Sequence, residues 1–514
     1  MAAQKIFLPS RGRAFHATPA PRVWPLIAGV GVATAAYAIQ VALRAARDVD
    51  WDDVRRAAQG TAEGGEGGAG ARGARAARAE AGAAARTGGG DDSGAATSAV
   101  LGISIGDTGM RLALSAAGGG APRIVETAEG QRAFAAAFAV ARDGEKLLGL
   151  SAHRRRFEPG TAVVLCATTL LGERARSDAA LGCARWLRDG APVEADAEGR
   201  AALRVHHELL LPEQIAASLL AELRAAGADA TGRPAWRAVL AVHAGASDAH
   251  CEAARAAARD IGLLDVAVVS APVAAFEAAR AAAAAASPPA SPPTSPALVV
   301  HVGGRRASAS VVAAAPASAA APKHGDARLL ASRQALFVGG EQFDDALVRT
   351  LADEFAAAHG GIDLRADRLA LARLLDAAQR ARHELSGAHA TVVDLPFITA
   401  DASGPKHLRR ELSRADLEAA TDALLRDFSI EKLCQDALAD AGLRPGGLGS
   451  LLLTGGLMRT PHLRARVERA FGLRALDTGV NPEDTPALGA ALPLFAPGAQ
   501  AEPSAERAAA AESA

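Results

Sequence analysis

The sequence predicts an α/β protein of two similar lobes facing each other across a cleft, and three observations lead there. From Ser98 to about Pro493, short β-type runs alternate with amphipathic helical stretches, the pattern of stacked strand and helix layers. The first run, SAVLGISIGDTGMRLALSA, has Gly106 and Gly109 between two alternating segments and reads as a glycine hairpin. The stretch LVVHVGGRRASASVVAA, Leu298 to Ala314, repeats that design with Gly303 and Gly304 at the turn, about 200 residues later. Two halves that each open with such a hairpin are expected to bring the hairpins face to face.

Taken in order, the chain begins with MAAQKIFLPSRGRAFHATPAPRV, residues 1–23, which carries Lys5, Arg11, Arg13 and Arg22 and no acid before Asp48. That is the composition of a mitochondrial targeting segment; a signal anchor for the secretory route, ending in the endoplasmic reticulum, is the alternative. WPLIAGVGVATAAYAIQVAL, Trp24 to Leu43, is uncharged with Gln40 as its one strongly polar side chain, and is long enough to span a bilayer as a helix. A single transmembrane helix, with the mitochondrial inner membrane favoured, is therefore expected. Residues 44–97 are rich in Gly, Ala and Arg without large apolar anchors and read as a flexible tether. The globular part is assigned to residues 98–497. Within it, AAAAAASPPASPPTSP from Ala281 to Pro296 reads as a surface loop, and residues 498–514 as a disordered tail.

The 514 residues are half apolar, enough to bury a large core, and the formal charge is −1. Arg and Asp/Glu are interspersed, which removes the electrostatic basis for a nucleic-acid partner. Cys166, Cys183, Cys251 and Cys434 lie far apart with no CxxC, so neither a zinc site nor a disulfide framework is expected.

Several segments carry a resemblance in one order along the chain. LGISIGDTGMRLAL is similar to a first phosphate loop, LPEQIAASLLAELRAAGADA to a PEEI-type helix, and AVLAVHAGASDAHCEAARAAARDIGLLDVAVVSAPVAAFEAA to a strand, helix, strand and interlobe connection. FVGGEQFDDALV resembles a GGEDFD signature, LDAAQRARHELS a helix that flanks adenine, and SLLLTGGLMRTPHLRARVERAF an adenosine loop. LSRADLEAATDAL resembles the segment leading to the last lobe, and NPEDTPALGAAL the close of the domain. Together they resemble the nucleotide-binding domain of the seventy-kilodalton heat-shock chaperone (Hsp70) family, of the actin-like ATPase superfamily. The resemblance implies an actin-like ATPase fold, ATP or ADP as ligand, and chaperones, J-domain proteins or nucleotide-exchange factors as partners. A short Ala-, Glu- and Pro-rich segment follows Leu492, so a peptide-holding role through that family's β-sandwich and lid is not expected.

The resemblance also implies a site, and here the sequence departs from it. The family's leading Asp of the first loop is Ser104, its first hydroxyl residue is Asp107, and Thr108 remains. The family's lysine aligns near His153, and the glutamate before the interlobe proline is Ala271, ahead of Pro272. In the second loop an Asp becomes His301, the third Gly Arg305, the Thr Arg306 and a later Asp Ser308. Phosphoryl transfer needs metal-holding acids and a positioned water, so hydrolysis is expected to be very weak or absent and a metal is not expected. Gly106, Gly303, Gly304, Gly339, Gly340, Arg382, Ser386, Gly455, Gly456 and Arg459 remain at positions implied to contact adenosine and phosphate. Arg305 and Arg306 are open to two readings: phosphate ligands replacing a metal, or solvated or Asp107-paired side chains on a hairpin whose glycines serve only its turn.

Overall fold

The computed structural model describes residues 100–115, 120–127, 129–187, 190–286, 292–314 and 327–496. The targeting segment, the anchor at 24–43, the tether and the tail all lie outside the described residues. Among those described, no helix is long and apolar enough to cross a membrane.

The first lobe is built on β1 (Leu101–Ile105) and β2 (Gly109–Leu114), antiparallel strands joined by the first glycine turn. β3 (Arg123–Val125) continues the sheet beyond β2, and β4 (Phe134–Ala135) pairs with the start of β2. On the other side β1 runs parallel to β5 (Arg237–Val242), which runs parallel to β6 (Asp265–Ser270). Parallel strands need a crossover. Helix α2 (Asp248–Asp260) supplies it, capped by Ser247, whose hydroxyl accepts from the His250 amide at 3.1 Å. Helix α1 (Pro212–Thr231) lies under this sheet, its Ile215, Leu219, Leu220 and Leu223 stripe at helical spacing buried in the lobe core.

The second lobe repeats the plan. β7 (Ala297–Val302) and β8 (Arg306–Ala313) form the second hairpin, β9 (Arg328–Leu336) pairs outside β8, and β10 (Ser450–Thr454) runs parallel to β7. Helices α4 (Gly340–Ala358) and α5 (Arg368–Leu385) bury Phe343, Leu347, Leu351, Leu374 and Leu385 in its core. Both hairpins are closed by the same bond: the Gly106 amide donates to the Gly109 carbonyl at 3.2 Å, and the Gly303 amide to the Arg306 carbonyl at 2.9 Å. The expected duplication is thus present down to the turn.

Helix α3 (Ala271–Ala285), between the two lobe sheets in sequence, packs on α6 (Thr485–Ala490). A side chain at Gly489 would overlap the Ala274 carbonyl, so only glycine permits that approach. The surface loop expected from Ala281 begins later, because α3 continues through Ala285. The alanines there follow their own strong helix propensity until Ser and Pro take over; residues 287–291 lie outside the described set.

Candidate functional site

The two hairpins face each other and line one cavity of about 370 Å³. The first contributes Gly106, Asp107 and Thr108, the second Gly303, Gly304, Arg305 and Arg306, the start of α4 Gly340, α5 Arg382, and the turn after β10 Gly455 and Gly456. Ser104, His153, Ala271, His301 and Ser308, which the resemblance implies to be exchanged positions, line it too. Of the remaining candidates, Gly339 packs beneath the Gly303 and Gly304 carbonyls. Ser386 caps α5 and donates to the Arg382 carbonyl at 3.2 Å, and Arg459 lies 3.8 Å from Glu483 with half its side chain exposed.

The hairpin glycines are kept for space and not for turn conformation, unlike Gly455, whose φ is +85°. Gly106, Gly303 and Gly304 are all outside the left-handed region. A Cβ on Gly304 would instead overlap the Thr108 side chain, one on Gly339 would meet the Gly303 and Gly304 carbonyls, and one on Gly106 would meet the Gly109 carbonyl. The hairpins touch, and bare backbone is what lets them.

Arg305 is 2% exposed. Its Nε and Nη2 donate to the two Glu341 carboxylate oxygens at 2.6 and 2.8 Å, and its Nη1 donates to the carbonyls of Asp107, at 2.9 Å, and Leu165. Arg306 grips the Asp107 carboxylate with Nε at 2.8 Å and Nη2 at 3.0 Å, and its Nη1 donates to Gln334 Oε1 at 2.7 Å. Asp107 also accepts from the Thr169 hydroxyl at 2.9 Å. Burial alone would raise its carboxyl, but Arg306 overrides that and holds it far below the usual carboxylate range. Most of the guanidinium donors the sequence offered to a phosphate are therefore spent on the protein itself.

The same saturation holds around the cavity. Among the described residues four carboxylates line it, Asp107, Glu341, Asp344 and Glu483, and each is paired with an arginine: Arg306, Arg305, Arg382 and Arg111. Arg382 is buried, with Nε and Nη2 on the Asp344 oxygens at 2.7 and 3.1 Å. At the start of α4, the Gly340 and Glu341 amides, which elsewhere suit an anion, donate to the Gly303 and Gly304 carbonyls at 2.9 and 3.0 Å. Burial pushes His301 down to about 4 and lowers His153, so both imidazoles are neutral at physiological pH. A hard divalent cation needs several uncommitted oxygens, and this donor set does not fit one. At the end of the cavity formed by the turn after β10, Gly455 packs against the Val302 carbonyl and Gly456 against the Glu483 carboxylate, which leaves little room for a side chain at either.

The sequence did not reveal the partners Glu341, Gln334, Asp344 and the Leu165 carbonyl. Glu341 was visible within the GGE signature, but nothing local shows that it faces Arg305.

Two duplicated α/β lobes, each opening on a glycine hairpin over a shared cavity, define the actin-like ATPase fold. The family model described as Hsp70 protein matches residues 100–493. The chain is also similar to the chaperone protein DnaK of Stenotrophomonas maltophilia (strain R551-3), with 35% identity over 398 residues, covering 76% of this chain and 59% of that protein. This chain belongs to the Hsp70 family. It spans 59% of the length of that relative.

Proposed function

We propose that this chain is a catalytically silent member of the Hsp70 family that works as a chaperone-related interaction or regulatory module, held at a membrane by residues 24–43. The observation that carries the catalytic part is the pairing of every cavity carboxylate with an arginine among the described residues, which leaves no acid to organise a cation or a water. Loss of one oriented group in such chemistry costs a factor of about 10² to 10⁴, and here five groups that the resemblance implies to be charged are exchanged, at Ser104, His153, Ala271, His301 and Ser308. The lobe surfaces would then serve to dock a chaperone, a J-domain protein or a nucleotide-exchange factor, at the raised local concentration that a membrane tether provides.

A second reading, a sensor that binds ATP or ADP without cleaving it, is favoured by the cavity itself, because about 370 Å³ lies within the range of small-ligand sites. A rebuilt, slow chaperone ATPase is the outcome that would defeat both. Isothermal titration of the purified chain with ATP, with and without Mg²⁺, followed by phosphate release, separates them. No heat and no phosphate supports a docking module. Metal-independent heat without phosphate supports the sensor, and phosphate release above background refutes catalytic silence. Retention in the membrane through an alkaline carbonate wash, lost on deleting 24–43, checks the anchor; extraction of the intact chain by carbonate would refute it.

A further inference from the structure

In a two-lobed protein of this kind a ligand in the cleft touches both lobes and so biases their closure. This chain places its own groups across the same gap. Arg305 and Arg306 belong to the second lobe, yet Arg305 donates to the Asp107 and Leu165 carbonyls of the first, and Arg306 holds the Asp107 carboxylate with two parallel bonds. A buried bidentate guanidinium–carboxylate pair is among the strongest polar contacts between two surfaces.

A second, independent observation lies at the end of β9. Phe337 follows a second-lobe strand but is buried in the first lobe's apolar core. Its φ is +59°, a conformation an aromatic residue adopts only when its surroundings enforce it. Its ring lies against Gly182, where any side chain would overlap it, and three residues earlier the Gln334 amide lies against Gly245 of the first lobe.

We propose that these side chains form a built-in clasp, with Arg305 and Arg306 as its polar half and Phe337 as its apolar half, which holds the two lobes closed without any nucleotide or metal. The clasp deepens the reading of a catalytically silent module: the docking surfaces are presented in one fixed arrangement, and nucleotide level does not set it. Arg306 and Asp107 are the positioning pair.

Hydrogen–deuterium exchange on the full-length chain tests this, with phosphate release measured on the same samples. In the unaltered chain the amides of residues 104–108 and 302–307 exchange slowly, and adding ATP with Mg²⁺ changes their rates by less than about twofold. Arg306→Gln and Phe337→Ala each speed exchange at both hairpins by about tenfold or more, while β5 and β10, inside the two lobe cores, keep their protection. If β5 and β10 lose protection as well, the swap Asp107→Arg with Arg306→Asp decides: regained protection at the hairpins supports the pairing, and none overturns it. Unchanged hairpin exchange in Arg306→Gln also overturns it. Hairpins that exchange fast until ATP slows them, without phosphate release, sink the clasp and leave catalytic silence standing; phosphate release with slow, ATP-insensitive hairpins does the reverse.

Discussion

Asp344→Ala separates the structural and ligand-binding accounts of Arg382. The Asp344 and Arg382 side chains are 8% and 7% exposed and joined by two hydrogen bonds, fastening α4 to α5. Burial raises the Asp344 carboxyl and outweighs the opposing pull of Arg382, so the pair itself yields little net stability. Breaking it is another matter, because a guanidinium then remains in the interior without its counter-charge. That costs about 3–5 kcal/mol, which for a lobe of this size lowers the melting temperature by about 6–20 °C. Replacing both members by apolar residues, Asp344→Leu with Arg382→Met, removes the buried charge and recovers most of the loss. Thermal melts followed by circular dichroism read the three proteins, and adenosine titration reads the site. A single variant that loses less than about 1 kcal/mol, or a double variant no better than the single, refutes the buried-pair argument. Adenosine binding that disappears in the restored double variant shows that Arg382 contacts the adenine, as the family resemblance implies.

Three further outcomes follow from the geometry. Gly304→Ala drives a methyl group into Thr108 and lowers the melting temperature, and adding Thr108→Gly recovers part of the loss; a neutral single variant refutes the touching hairpins. Gly489→Ala destabilises by about 1–3 kcal/mol or more through its clash with the Ala274 carbonyl, read as a fall in the urea midpoint, whereas an unchanged midpoint means α3 and α6 do not approach so closely. Stability also falls on acidification: burial pushes His243 down to about 3 and His250 and His301 to about 4, while an unfolded histidine titrates near about 6.5. Between about pH 6.5 and 4 the unfolded chain therefore binds more protons, at up to about 1.4 kcal/mol per pH unit for each. Asp345, pushed up to about 6 by burial and then by Glu341, and Asp344, raised by burial, work in the opposite sense, but two groups do not offset these three histidines together with His383, which burial also pushes down to about 4. Urea midpoints at about pH 7.5 and 5 check the sign, and His301→Asn should narrow the difference; a higher midpoint in acid refutes it.

Most of the fold was legible because its signals are local. Strand alternation in LGISI and GMRLAL and the amphipathic pattern of the helical stretch from Ile215 to Leu223 are each carried by residues close together in the chain. The cavity was legible for a different reason: glycine pairs at matching places in two halves predict facing turns, and the exchanged positions Ser104, Ala271, His301 and Ser308 then fall beside them. What stayed hidden was which charges meet. Arg306 and Asp107 are 199 residues apart, and sequence alone left the arginine free to face phosphate, solvent or that carboxylate. The aim of Phe337 was hidden as well, since a positive φ at a phenylalanine has no sequence signature.

That division explains how the chain can keep its glycines while Ser104, Ala271, His301 and Ser308 stand where the resemblance implies acids. An acid holding a metal contributes through the ligand, and the fold survives its exchange for Ser, Ala or His provided no charge is stranded. Gly304 and Gly339 contribute through the absence of a side chain, where a backbone or side chain of the opposite element already fills the space. Once Arg305 and Arg306 bridge the lobes, that close approach becomes a condition of their own hydrogen bonds, because a hairpin displaced by even 1 Å would carry Arg306 Nε from 2.8 Å to beyond hydrogen-bonding range of Asp107. The glycines are then required by the clasp itself, whether or not a phosphate ever enters.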